Sequence, residues 1–160
     1  MGSFKNIFAI VFVFCGLLAF SQGSLPPGEY TTKSKSAIKH FEEGLKYYQA
    51  RNVPEAEKEL LKAIKDDDNF IEAHGAYAQL KRENMELEQA EIHYKKAIDI
   101  NPKFKARTFY DYGEVLFLEA KYDQAKLNLE TYLKFERINP NTKEEAEFIL
   151  MHAKFAAEAI

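Results

Sequence analysis

AEIHYKKAIDINP, residues 90–102, gathers a His, two acids, two Lys and a Tyr within one short run. It reads either as a reactive cluster or as a structural unit with a polar face. Spacing separates the two. Ala90, Tyr94, Ala97 and Ile98 recur at helical intervals and predict a buried stripe. Glu91, Lys95 and Asp99 stand at i, i+4 and i+8 on the outer face, where they are expected to pair along the helix. Asn101-Pro102 ends the helix, because the residue before a Pro avoids the helical region.

The same pattern occurs three times. Ala56, Ala90 and Ala125 each precede a large residue four positions on: Leu60, Tyr94 and Leu129. Ala63 and Ala97 follow at matching places, with Tyr132 in the third copy. The period is 34 between the first two copies and 35 between the next two. Each copy has a second amphipathic stretch upstream, marked by Gly44-x-x-Tyr47, Tyr77-Ala78 and Tyr112-Gly113-x-x-Leu116. Pro102 closes the second copy and Pro140 follows the third. A period of this length marks a stacked helical array.

The pattern resembles the tetratricopeptide repeat, a 34-residue helix–turn–helix unit. The copies fall at about residues 37–70, 71–104 and 106–139. Ala90, Tyr94, Ala97 and Pro102 match the family's small, aromatic, small and proline places. The first half of that copy departs, with His74 at the usual Trp place and Lys81 at the usual Tyr place. The resemblance implies an all-α solenoid of three repeats. Thr142 with Glu145 matches a capping box, which predicts a closing helix over about 143–159. The domain thus runs over 34–160. Pro54 suits a first helical turn, and Asn84 a turn between helices.

The N-terminus is of another kind. Lys5 is the only charge before Glu29, and IFAIVFVFCGLLAF, residues 7–20, is continuously apolar. Such a run is shorter than the roughly 20 residues a bilayer span needs. It fits a secretory signal peptide over residues 1–21, cleaved after Ser21. An uncleaved anchor, making the chain a membrane-attached envelope component, is the alternative. Residues 22–33, with Pro26 and Pro27, read as an extended leader. Cys15 is the only cysteine, so a chain without residues 1–21 makes no disulfide or thiolate metal site. The whole order also resembles the start of Gram-negative envelope proteins that join such repeats to a WD40-like propeller and an OmpA-like domain. That resemblance implies a periplasmic or outer-membrane-associated setting, in some members linked to secretion or gliding.

Composition narrows the chemistry. Formal net charge is −3 and 46% of residues are hydrophobic. That charge offers no field for nucleic acid, and any membrane contact would run through the signal segment or a partner. The sequence contains no phosphate loop, no His-Glu-x-x-His pair and no Gly-x-Ser-x-Gly elbow. No enzyme, small-molecule substrate, cofactor or metal is expected. The one metal alternative is His40 with His74, one repeat apart, and no third ligand converges on them. His as a packing residue is the simpler account of that place. His93, beside Tyr94, reads as structural and turned outward or sideways. Asp66-Asp67-Asp68 lacks the alternation and Gly of a calcium loop and reads as a helix end.

What remains is a surface for a protein or peptide partner in the envelope. The resemblance implies that the first helix of each pair lines a concave groove. Its residues would be Phe41, Leu45, Tyr48 and Gln49, then Gln79, Arg82 and Glu83, then Tyr110, Glu114 and Phe117. Relatives that clamp a C-terminal carboxylate need Lys and Asn at set groove places. Here those places hold Phe41, Leu45, Gln79 and Gly75, so carboxylate capture is not expected. The sequence thus reads as an exported interaction module, a scaffold or adaptor.

Overall fold

The computed structural model describes residues 29–158. The signal-peptide and anchor readings, and most of the leader, fall outside those residues. Seven helices follow in order: α1 Lys35–Gln49, α2 Val53–Asp66, α3 Ile71–Glu83, α4 Leu87–Ile100, α5 Ala106–Leu118, α6 Tyr122–Leu133 and α7 Pro140–Glu158. No strand occurs among the described residues, and none of their helices is long and apolar enough to cross a membrane. Helices pack as consecutive pairs, α1 on α2, α3 on α4, α5 on α6, with α7 laid against α6 and touching α5. This is the array the repeat spacing predicts.

Small residues set the distance within each pair. An added Cβ at Gly44 would lie 2.9 Å from Leu60 Cγ and 3.2 Å from the Leu60 nitrogen. At Gly113 it would lie 2.8 Å from Leu129 Cγ. Ala78 fills the same place in the second repeat, where the facing residue is Tyr94. Ala56, Leu60, Ala63, Ala90, Tyr94, Ala97, Ala125, Leu129 and Tyr132 are all buried, as the repeated pattern requires. The core is continuous between repeats: Phe70, fully buried, joins Phe41 of α1 to Ala73 and Tyr77 of α3.

The turn inside each pair holds a feature invisible in the pattern. Arg51, Met85 and Ala120 have φ of 57°, 60° and 58°, one per repeat. This left-handed residue lets a backbone N–H reach back over the helix end. Asn52 N donates to Tyr47 O at 2.9 Å, Glu86 N to Lys81 O at 2.9 Å and Lys121 N to Leu116 O at 2.8 Å. The motif normally takes Gly, since a Cβ costs on the order of 1 kcal/mol there. Asn84 sits in this turn as expected, but as the residue before the left-handed one.

Two local expectations are corrected, and the end of the extended leader is docked. The closing helix begins at Pro140, not Lys143. Asn139 caps it: its Oδ1 accepts from Asn141 N at 2.9 Å and Thr142 N at 3.3 Å. Pro140 fits the first turn because its missing N–H would have had no partner there. Thr142 is therefore inside the helix and buried, and Glu145 turns to Tyr110 instead. The leader is not free at its end. Tyr30 packs edge-on against Phe41 and Phe70, with centroids at 5.4 and 5.7 Å. Thr31 N donates to Glu72 at 3.0 Å and Thr31 Oγ1 accepts from Ile71 N at 3.2 Å. Thr32 is buried and donates to Asp67. Finally, Lys95 does pair with Asp99 at 3.0 Å, but Glu91 leaves that row. It accepts from Tyr112 at 3.3 Å and pairs with Lys121 of the next repeat.

Candidate functional site

The groove residues predicted from the sequence lie on α1, α3 and α5, and the structure divides them. Phe41 and Tyr110 are buried, at 5% and 4% exposure. They are core, which corrects their assignment as contact residues. Phe41 lies 4.9 Å, ring to ring, from Phe70, and Tyr110 5.6 Å from Tyr132. Leu45, Tyr48, Arg82, Glu114 and Phe117 are half-buried, while Gln49, Gln79 and Glu83 are exposed. A residue facing both its own helix partner and the next repeat is covered twice. That explains why an aromatic at such a place sinks into the core.

The polar residues are joined across repeats. Tyr48 Oη donates to Glu83 at 2.6 Å and accepts from Gln79 Nε2 at 2.9 Å. Gln79 also donates to Glu83 at 3.0 Å. Burial and the Glu83 carboxylate push the Tyr48 phenol up to about 12. Arg82 pairs with Glu114 and lies 3.4 Å from Asp111. Asp111 accepts from Arg107 Nε at 2.9 Å, and that guanidinium stacks 4.8 Å from the Tyr110 ring. Tyr110 Oη then donates to Glu145 of α7 at 3.0 Å. A ladder of hydrogen bonds and ion pairs therefore ties α1 to α3, and α3 through α5 to α7.

Asp111, Arg107 and Glu145 complete this ladder and were not among the predicted residues. The i, i+4 spacing of Arg107 and Asp111 is the signal that could have found them. Burial pushes the Asp111 carboxyl up, against the pull of Arg107 and Arg82. Burial also works against the charge on Arg82, yet Asp111 and Glu114 raise its pKa. Such a cluster holds its charges by geometry, and its free valences are few. Beneath it, Tyr94 is 2% exposed and its hydroxyl has no hydrogen-bond partner among the described residues.

The histidines fall into two places. His40 Nδ1 lies 2.6 Å from Glu59. His74 is 2% exposed, so His does replace an aromatic at a packing place. Its Nδ1 lies 2.9 Å from His93 Nδ1 and its Nε2 3.0 Å from the Asp68 carbonyl. His40 and His74 thus each have a different partner, and His93 faces inward against His74 and Tyr77 rather than outward. No group of three or more His, Cys, Asp or Glu that could hold a metal occurs among the described residues. Lys81, at the usual aromatic place, is also buried and pairs with Glu57 at 2.5 Å and Glu86 at 2.8 Å.

With this geometry the chain can be set beside known proteins. No family model matches it. The first tetratricopeptide domain of Spaghetti (RPAP3), solved with an HSP90 peptide SRMEEVD, superposes with a TM-score of 0.69 at 21% identity, over 76% of this chain and 95% of that one. The Yersinia enterocolitica type III secretion chaperone SycD, in complex with a peptide of the translocator YopD, gives 0.67 at 15% identity, over 77% and 95%. PilF of Pseudomonas aeruginosa gives 0.62 at 24%, over 78% and 55%. The chain is a tetratricopeptide-repeat α-solenoid in fold.

Two curated relatives match by sequence. The type IV pilus assembly protein PilF of Pseudomonas aeruginosa is 33% identical over 82 residues, 51% of this chain and 32% of that protein. An uncharacterized protein of Haemophilus influenzae is 27% identical over 145 residues, 89% of this chain and 75% of that one. The match to PilF thus spans about a third of PilF's length.

Proposed function

We propose that the chain is an exported peptide-binding module that serves as a scaffold or adaptor in a cell-envelope assembly, tied to pilus biogenesis or secretion. One observation carries the reading. The first helices present a fixed row, Tyr48, Gln79 and Glu83, whose side chains are exposed or half-buried and already hydrogen-bonded to one another, with exposed Gln49 beside Tyr48. A preordered polar edge beside half-buried Leu45 loses little entropy when a segment settles on it. The peptide complexes among the fold neighbours, and the pilus-assembly relative, support the same direction. Residues 1–21 supply export, and the chain works by shape, without chemistry on its partner.

Carboxylate capture of the kind that needs Lys and Asn is not part of this reading, because Phe41, Leu45, Gln79 and Gly75 stand at those places. The partner segment is instead internal, with polar groups for Gln79 and Glu83 and an apolar anchor beside Leu45 and Tyr48. The test is an in-cell crosslink from a photoreactive residue at Gln79, with a control probe at Lys95 on α4. A discrete envelope protein captured at Gln79, absent at Lys95 and lost on Tyr48→Ala, is the expected result. Equal capture at both sites, or none at Gln79, overturns the reading.

A further inference from the structure

Helix α7 packs on α6 with its buried side formed by Thr142, Ala146, Leu150 and Ala153. A helix face that a stacked array leaves open to water is normally polar. This one is not. Phe148, Met151 and Phe155 are 61%, 57% and 75% exposed. They lie on the side of the helix opposite the buried stripe, at spacings of three and four residues. With Glu144 before and Glu158 after, the spacing reads 4, 3, 4, 3, the seam of a two-helix coiled coil. A large apolar stripe at exposed positions marks a surface meant to be covered.

The sequence of the seam says what covers it. The order Glu144, Phe148, Met151, Phe155, Glu158 reads nearly the same in both directions about Met151. Laid antiparallel on a second α7, Phe148 meets Phe155 of the other copy and Met151 meets Met151. The flank beside the seam carries Glu147 at one end and Lys154 at the other. In the same antiparallel register Glu147 faces Lys154 of the other copy, and the two-fold repeats that pair. A parallel arrangement would instead set Glu147 against His152 of the other copy and give Lys154 no acidic partner. The geometry points to a homodimer of this chain through α7, antiparallel about a two-fold axis at Met151.

Two details set its strength. In the single chain, Lys154 pairs with Glu130 at 3.1 Å and Glu147 lies 3.7 Å from Lys143. All four are half-buried or exposed, so exchanging these partners across an interface costs little. Glu144 and Glu158 face each other at the seam ends and repel, which confines the dry contact to the three central residues. An interface of that size is small, so association is weak and concentration-dependent. A dimer places two binding edges in one particle, which raises avidity for a partner that offers two segments.

The test uses the full chain with Cys15→Ser, so that every thiol is an introduced one. Under oxidation, Met151→Cys forms a disulfide-linked dimer. Phe148→Cys chains alone do not crosslink, whereas an equal mixture of Phe148→Cys and Phe155→Cys chains does. In sedimentation, Glu147→Lys weakens association by about tenfold, equivalent to about 1.4 kcal/mol. Glu147→Lys with Lys154→Glu restores it, and Glu144→Lys strengthens it. Self-association through residues 7–20 would be unmoved by every charge swap. That result overturns the proposal, as does a chain that stays monomeric or one in which Phe148→Cys crosslinks to itself.

Discussion

The first and second repeats solve the same two places differently. At one place both repeats have His on the first helix, His40 and His74, thirty-four positions apart. The facing residue on the second helix is Glu59 in one repeat and His93 in the other. At the other place Gly44 faces Leu60, while Ala78 faces Tyr94. Each residue is therefore matched to its partner and not to its repeat position alone. A branched Leu close to the helix leaves no room for a methyl, whereas a flat ring tolerates one. An acid beside His favours its charge, whereas a second His disfavours it.

Removing the larger member of the packing pair should have the greatest effect. Leu60→Ala empties a fully buried site and is expected to cost about 2–5 kcal/mol, read by urea unfolding. Gly44→Ala should cost about 1–3 kcal/mol by overpacking against Leu60. The comparison sharpens in a double mutant. With Leu60→Ala present, the Gly44→Ala penalty should shrink, because the two side-chain clashes are gone and only the Leu60 nitrogen at 3.2 Å remains close. Additive losses would show that Gly44 is required for some other reason.

The histidine pair gives a pH signature. Burial, then the neighbouring His74, depresses the His93 pKa to about 4, and burial depresses His74. The unfolded chain binds protons near pH 6.5, before the folded one does. Stability is thus fully present above about 6.5 and falls as pH drops toward 4. His93→Gln removes one titrating partner and should flatten this fall between pH 7 and 5, measured by thermal unfolding. In the first repeat, Lys62 and then His40 hold the Glu59 carboxyl below its usual range. His93→Glu, which copies that arrangement, should also flatten the slope. An unchanged slope in both variants would assign the pH dependence to other groups.

The smallest effect has the opposite sign. A Cβ at Gly75 meets nothing within 4 Å. Gly75→Ala, mid-helix in α3, should therefore stabilise by about 0.5–1 kcal/mol through helix propensity. The same substitution at Gly44 and Gly75 moves stability in opposite directions, which a single unfolding series would check.

Much of the fold was legible because its cause is periodic. Ala56, Ala90 and Ala125 each need a small residue where helices touch, and the sequence repeats that need. The surface was less legible, because contacts between repeats do not follow the one-helix pattern. Glu91 looked like a member of an outer row, yet it reaches Lys121 on the next repeat. His93 looked peripheral because its partner lies nineteen residues away on another helix. Thr142 matched a capping motif, but Asn139 with Pro140 behind it made the better cap three residues earlier. Arg51, Met85 and Ala120 gave no warning, since a left-handed turn without Gly leaves no mark in composition.

The docked segment Tyr30–Thr32 has a mechanical consequence. Tyr30 donates to Glu42 of α1 at 3.3 Å, but the bonds of Thr31 and Thr32 reach Asp67, Glu72 and Ile71, 35 to 41 residues further on. A pull on the N-terminal end of the chain would therefore load the junction between the first two repeats together with α1. The segment acts as a strain relief. Tension from upstream is shared by two repeats from the outset, and the first helix pair is not the weakest link in the line.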